Sequence, residues 1–248
     1  MKKIGILTSG GDAPGMNAAI RAIVRSSLNK RFNVIGFKNG YDGLIDNQFV
    51  NFDRRSVGNI IQHGGSILYT SRSLRFLENK YRLCAAKNLD KLDIDSLVVI
   101  GGEGSAKGAK ELAKASKIKI VCIPATIDKD MPLVGKTIGF DTAINTALNA
   151  IDKIRDTATT SNVTHIIEVM GRNCGWLAIL AGIGAGAEAA LIPESKTDVD
   201  ILVKRVTNQL KSGKKGCILV VAEGSRSTGN ALAEKLKRKS ILDIRITS

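Results

Sequence analysis

The feature that most restricts the fold of this chain is a pattern used twice, in which an apolar run of strand length leads into a glycine-rich loop and then into a helix. Lys2-Lys3-Ile4-Gly5-Ile6-Leu7-Thr8-Ser9-Gly10-Gly11-Asp12-Ala13-Pro14-Gly15-Met16-Asn17 carries it first, with a helix expected over 16–29. Ser96–Ile100, followed by Gly101-Gly102-Glu103-Gly104-Ser105, carries it again, with a helix running to about Lys117. Glycine lets the backbone approach a ligand closely, and the first amides of the helix face the same way. Taken alone, the first loop reads equally as a phosphate cradle and as a tight turn that needs glycine, and it has neither the dinucleotide-binding nor the P-loop spelling. Two such units open at one edge of a parallel sheet, where α/β proteins hold their ligands.

A third stretch belongs beside them. The apolar run Ile118–Ile123 ends at Pro124 and is followed by Thr126, Asp128 and Asp130. Carboxylates at i and i+2 in extended chain point the same way, so one can take a proton while the other holds a metal ion or orients its neighbour. An isolated Asp-x-Asp reads as a solvated turn; next to two glycine loops it reads as part of a site. Glu103, at the start of the second helix, is placed to bind Mg²⁺ directly or through water.

The remaining chain continues the alternation. Strands are expected at Asn33–Lys38, Phe49–Phe52, Thr164–Met170, Ala189–Ile192, Cys217–Ala222 and Ile244–Ser248. Helices are expected at Ser56–Gln62, Glu78–Leu92, Asp141–Asp156, Trp176–Ala187, Val199–Leu210 and Ala231–Arg238. Asn39–Gly43 reads as a turn, Tyr69-Thr70-Ser71-Arg72-Ser73 as a polar loop, and Thr157–Asn162 as another. The result is an α/β chain of two doubly wound, mostly parallel sheet domains, 1–136 and 137–248, joined through the connector Met131–Lys136. Glu223, at the C-terminal end of an apolar strand, is again in ligand position.

Charge and composition exclude several function classes. A formal charge of +14 favours anionic partners, yet the basic residues are dispersed and only 4% of residues are aromatic, so phosphorylated small molecules fit better than nucleic acid. The longest uncharged run, Asn173–Ala187, falls short of the ~20 apolar residues of a membrane span, and no membrane association is expected. Cys84, Cys122, Cys174 and Cys217 are far apart without metal spacing, which points to a reduced, cytoplasmic setting. Cys122 and Cys217 lie in or beside apolar runs, where a thiol acts as a small hydrophobe.

With these pieces in place the sequence resembles the bacterial type of ATP-dependent 6-phosphofructokinase from Lys2 to Thr247. The resemblance rests on Gly5–Asn17, Gly101-Gly102-Glu103-Gly104, Pro124-Ala125-Thr126-Ile127-Asp128, Thr137-Ile138-Gly139-Phe140-Asp141-Thr142-Ala143 and Glu168-Val169-Met170-Gly171-Arg172. It implies that Gly11, Tyr41, Arg72, Ser73, Gly102, Glu103, Gly104 and Ser105 hold ATP, with Glu103 on Mg²⁺. It makes Asp128, beside Thr126, the base for the sugar 1-hydroxyl, and gives Arg72 and Arg172 the charge of the transferring phosphoryl group. Thr126, Ile127, Asp128, Met170, Gly171, Arg172 and Glu223 match contacts to fructose 6-phosphate, and Arg245 matches a contact to a neighbouring subunit's sugar. Arg21, Arg25, Arg54, Arg155, Gly186, Glu188 and Lys214 match an effector pocket for a nucleotide diphosphate or phosphoenolpyruvate, and a homotetramer is implied. Pyrophosphate-using relatives carry Asp and Lys where this chain has Gly104 and Ala125, so ATP is the expected donor.

The chain also departs from the family pattern. Glu103 replaces an Asp, Lys129 an Asn, Asn59 an acid and Ser212 a lysine, while Val163 stands where a subunit-bridging arginine is expected. The sequence stops before the family's segment with a further histidine and arginine, so the second domain reads as incomplete. A fragment and a decayed gene both fit that. The alternative to an active kinase is therefore a catalytically impaired, nucleotide-binding remnant, with Mg·ATP binding retained and sugar binding weakened.

Overall fold

A computed structural model describes residues 1–161, 163–226, 228–239 and 243–247. The chain divides into two compact units, Met1–Thr126 with Met131–Gly139, and Ile127–Asp130 with Phe140–Ser248.

The first unit contains β1 (Lys3–Ser9), α1 (Met16–Asn29), β2 (Asn33–Phe37), α2 (Gly40–Ile45) and β3 (Phe49–Phe52). It continues with α3 (Asn79–Lys91), β4 (Ser96–Gly101), α4 (Glu103–Ala115), β5 (Lys119–Thr126) and β6 (Ile138–Gly139). The strands form one sheet in the order β3-β2-β1-β4-β5-β6, parallel throughout except for β2 against β3. Chain order reverses between β1 and β4, whose last paired residues are Ser9 and Gly101, so both glycine loops leave the sheet side by side. One face packs Leu7, Phe37, Leu97 and Val99 under α2, α3 and α4 through Tyr41, Leu44, Leu89, Ala109 and Leu112. On the other face α1, lying against β1 and β2, buries Met16, Ile20 and Val24.

The second unit contains α5 (Phe140–Ser161), β7 (Thr164–Val169), α6 (Trp176–Gly184), β8 (Ala189–Leu191), α7 (Val199–Lys211), β9 (Cys217–Ala222), α8 (Gly229–Lys239) and β10 (Ile244–Thr247). Its sheet runs β10-β7-β9-β8, with every pair parallel. All six residues of β9 are buried, because α7 and α8 cover one face and α5 and α6 the other. α7 shows how a helix earns its place here. Asp198 accepts hydrogen bonds from the amides of Asp200 and Ile201 at 2.9 and 3.1 Å, a cap worth about 1 kcal/mol. Val199, Leu202, Val203 and Val206 then fall on one buried stripe, each contributing about 1.5–3 kcal/mol.

Several local expectations are corrected. Ser56–Gln62 forms turns rather than a helix, because Asn59 adopts φ 51°. Asn39–Gly43 is not a simple turn: α2 begins at Gly40, driven by burial of Tyr41, Leu44 and Ile45 on one side. β5 continues through Pro124 to Thr126, since Pro124 sits opposite Gly101, where the ladder with β4 ends and the missing donor costs little. α5 runs on to Ser161 through the stretch read as polar loop, with the Thr160 hydroxyl donating to the Asp156 carbonyl at 2.9 Å. Asn162 and Ser248, included in the expected loop and last strand, lie outside the described residues. α6 stops at Gly184, short of Ala187. Cys217 is buried as expected, whereas Cys122 is exposed on β5 rather than a core thiol. No described helix is long and apolar enough to cross a membrane.

Candidate active site

In the first unit the two glycine loops are interlocked. The Ser105 hydroxyl donates to the Ser9 carbonyl at 2.9 Å, and a side chain on Gly101 would run into that same carbonyl. Gly10, at φ 89°, donates its amide to the Ser71 carbonyl at 3.0 Å, so this amide is committed to the protein. Gly11 remains exposed, and the nearest atom to a side chain built there is an Arg72 guanidinium nitrogen. Gly102 precedes α4 in extended conformation, and Gly104 in its first turn has open space around it. Sequence-expected Gly11, Arg72, Gly102, Glu103, Gly104 and Ser105 therefore surround one sheet edge.

Tyr41 supports this edge from beneath. Its hydroxyl donates to the Ser105 carbonyl at 2.7 Å, and its ring stacks on Phe76 with centroids 4.0 Å apart. Burial, with the Cys122 thiol adding to it, drives the phenol far above its ordinary range, so it stays a neutral donor. Ser73 donates its hydroxyl to Asp42 at 2.6 Å and accepts from the Phe76 amide at 3.2 Å.

Glu103 lies in the first turn of α4, where the helix dipole favours a carboxylate, and pairs with Lys107 at 2.8 Å. Among the described residues no cluster of three His, Cys, Asp or Glu side chains is arranged to hold a metal ion. A single half-buried carboxylate suits a cation that keeps most of its waters and takes its other ligands from phosphate oxygens, which is the habit of Mg²⁺.

In the second unit Asp128 is buried, and its Oδ2 lies 3.4 Å from Nε of Arg172, whose side chain is half exposed. The loop after β7 makes this possible: Gly171 at φ 139° and Arg172 at φ 51° turn the chain back, closed by the Cys174 amide on the Gly171 carbonyl at 2.9 Å. Glu223, following β9, accepts the Arg172 amide at 2.5 Å. The adjacent Gly224 is required because a side chain there would strike the Arg172 carbonyl. Asp128, Gly171, Arg172 and Glu223 are thus brought together, with Met170 exposed alongside. Ile127 leads into Asp128, while Thr126 closes β5 in the other unit and accepts at its carbonyl from the Thr137 hydroxyl at 2.7 Å.

Arg245 is exposed on β10, in register with His165, five residues along β7 from Met170 and therefore roughly 16 Å from that loop at the usual strand rise. Val163 is fully buried, a place for an apolar residue. The effector-type residues fall into two groups. Arg21 donates to the Val57 carbonyl and Arg54 to Asn29 Oδ1 at 2.6 Å, while Arg25 Nε is buried with no hydrogen bond among the described residues. In the second unit Arg155 donates to the carbonyls of Ala185 and Gly186 at 2.6 and 2.9 Å, and Lys214 pairs with buried Glu188 at 2.5 Å.

Two features escaped the sequence reading. Asp42 gathers Ser71, Ser73 and Arg75, and the only sequence signal was an acid inside a glycine-flanked turn. Lys129, at φ 54°, places its ammonium 4.5 Å from the Trp176 ring and 5.1 Å from Phe140. Only the presence of a single tryptophan in the chain hinted at it.

Comparison with known proteins places this arrangement in context. The family model described as Phosphofructokinase matches residues 3–248. A protein of Caldanaerobacter subterraneus subsp. tengcongensis named ATP-dependent 6-phosphofructokinase is 48% identical over the whole chain, which spans 77% of that relative. One of the same name from Persephonella marina is 50% identical over 96% of the chain and 74% of the relative. Among solved structures, phosphofructokinase from Saccharomyces cerevisiae superposes with a TM-score of 0.91 at 33% identity, covering all of this chain and 38% of the yeast chain.

Proposed function

Since the chain belongs to the phosphofructokinase family, we propose that it transfers the γ-phosphoryl group of ATP to the 1-hydroxyl of fructose 6-phosphate, giving fructose 1,6-bisphosphate and ADP. The observation that carries this reading is a buried carboxylate, Asp128, held 3.4 Å from a half-exposed arginine, Arg172. Asp128 takes the proton of the 1-hydroxyl, the freed oxygen forms its bond to the γ-phosphorus, and the bond to the β–γ bridging oxygen breaks in line. Arg72 and Arg172 neutralise the charge spread over the equatorial oxygens, each a permanently charged planar fork. Amides of the loops at Gly11 and Gly102–Ser105 cradle the nucleotide phosphates. Glu103 would hold Mg²⁺, which would supply charge neutralisation at the nucleotide phosphates.

On the sugar side we assign Thr126, Ile127, Met170, Gly171, Glu223 and, across a subunit contact, Arg245. Arg21, Arg25, Arg54, Arg155, Gly186, Glu188 and Lys214 are assigned to an effector pocket in a cytoplasmic homotetramer. ATP rather than pyrophosphate is the proposed donor. Gly104 has nothing within 4 Å of an added Cβ, so the space beside it is open to a nucleotide. Ala125, in contrast, is 1% exposed, which leaves no room for a lysine without rearrangement. A coupled assay for fructose 1,6-bisphosphate tests the reading. Turnover with Mg·ATP and none with pyrophosphate is expected; no product at saturating ATP and fructose 6-phosphate overturns it.

A further inference from the structure

We propose that Asp42 is a positioning residue for Arg72, holding the backbone on both sides of that arginine so that its guanidinium meets the transferring phosphoryl group. The inference rests on the assignment of Arg72 made above. Its starting point is the loop 69–73, which has no secondary structure of its own. An arginine on such a loop ordinarily samples many positions, and ordering its backbone costs conformational entropy.

Both neighbours of Arg72 are tied to the same carboxylate. Ser71 donates its hydroxyl to Asp42 Oδ2 at 2.9 Å and shares it with the Asn39 carbonyl at 2.7 Å; Ser73 donates to Asp42 Oδ1 at 2.6 Å. Arg75 adds Nε and Nη2 to Oδ1 at 3.1 and 2.9 Å, and reaches on to Asp46 at 3.0 and 2.7 Å. Behind the loop, the Thr8 hydroxyl donates to the Tyr69 carbonyl at 2.6 Å and the Gly10 amide to the Ser71 carbonyl at 3.0 Å. Burial pushes the Asp42 carboxyl up, but the hydroxyls of Ser73 and Ser71 and the Arg75 guanidinium outweigh it and hold the group below its ordinary range. The carboxylate therefore stays charged at neutral pH, with Arg75 as its counter-ion.

Arg72 itself is the exception in this network. Its side chain is exposed, and among the described residues no hydrogen bond holds its guanidinium. A pinned backbone carrying an uncommitted charged head is the arrangement expected of a preorganised phosphoryl contact. The same geometry makes Ser73 a strut, since its hydroxyl is engaged both as donor and as acceptor.

A double-mutant cycle between Asp42→Asn and Arg72→Met, read in kcat and in ATP affinity by calorimetry, tests the proposal. Asp42→Asn alone should lower kcat about 10- to 100-fold, the cost of misplacing a catalytic contact by about 1 Å. In the Arg72→Met background it should cost nothing further. Equal losses in both backgrounds would mean that Asp42 acts elsewhere, and an unaltered Asp42→Asn enzyme would overturn the proposal outright. If Arg72→Met alone leaves kcat and ATP affinity unchanged, the assignment of Arg72 fails instead, and the positioning role with it. Should Asp42→Asn not fold, as judged by its thermal transition, Ser71→Ala with Ser73→Ala removes the same two tethers and takes its place in the cycle.

Discussion

Replacing Asp128 with asparagine separates the chemistry of this protein from its stability. The carboxamide keeps the volume and an acceptor oxygen at a site that is almost fully buried, but it can no longer take a proton. One electrostatic partner weakened by the change is Arg172, at 3.4 Å and with 51% of its side chain exposed. Solvent screens such a pair, so its loss costs about 1 kcal/mol. For a domain of this size that lowers Tm by about 2–4 °C. Loss of a general base is a larger effect, about 10²- to 10⁴-fold in kcat, which is roughly 3–5 kcal/mol in the barrier. The amides of Gly102–Ser105 belong to the other unit, so ATP affinity should change little. The assay is the coupled measurement of fructose 1,6-bisphosphate, run beside calorimetric ATP titration and a thermal melt. Unchanged turnover would show that Asp128 is not the base. Turnover and ATP affinity falling together with a drop in Tm of tens of degrees would show that the residue acts through the fold.

Two further outcomes are expected. His165 is 5% exposed with neither ring nitrogen hydrogen-bonded among the described residues, and burial, reinforced by Arg245 and partly offset by Asp243, lowers its pKa below the ordinary 6.5. The unfolded chain therefore binds the extra proton first, and this group's contribution to stability is lost as pH falls below about 6.5. A Tm series from pH 7.5 to 5.5 should fall more steeply for the wild type than for His165→Val, and parallel slopes would refute the assignment. Lys129 lies over Trp176, the sole tryptophan, so Lys129→Met should alter its emission spectrum, and fructose 6-phosphate should perturb that emission in the wild type. Emission untouched by either change would mean that the ammonium does not stay over the ring.

Much of the framework was legible in the chain because it is set by short-range rules. Apolar runs of strand length alternating with helical spacing led to an α/β chain with two parallel sheets, and the strands at Ser96–Gly101 and Cys217–Ala222 form within a residue of the expected limits. The glycine loops were equally visible, since Gly10, Gly15 and Gly171 hold φ values that L side chains rarely adopt. Local reading failed where a long-range contact overrode it. Asn39–Gly43 looks like a turn by composition, yet a helix runs over Gly40–Ile45 because Tyr41 and Leu44 have a core to enter. Cys122 looked like a core residue by its neighbours, yet it stands exposed on β5.

Backbone sterics and periodic burial act over a few residues, so the elements, their alternation and the loops that open at the strand ends follow from the order of residues. Which distant groups meet depends on the folded chain. Folding sets Arg172 against Asp128, places the Tyr41 hydroxyl under the Ser105 carbonyl and gathers Ser71, Ser73 and Arg75 on one carboxylate. Each of these contacts joins residues that strand order and crossover connections bring into reach. Their energies depend on burial and on hydrogen-bond geometry, neither of which is written in the spacing of the residues along the chain.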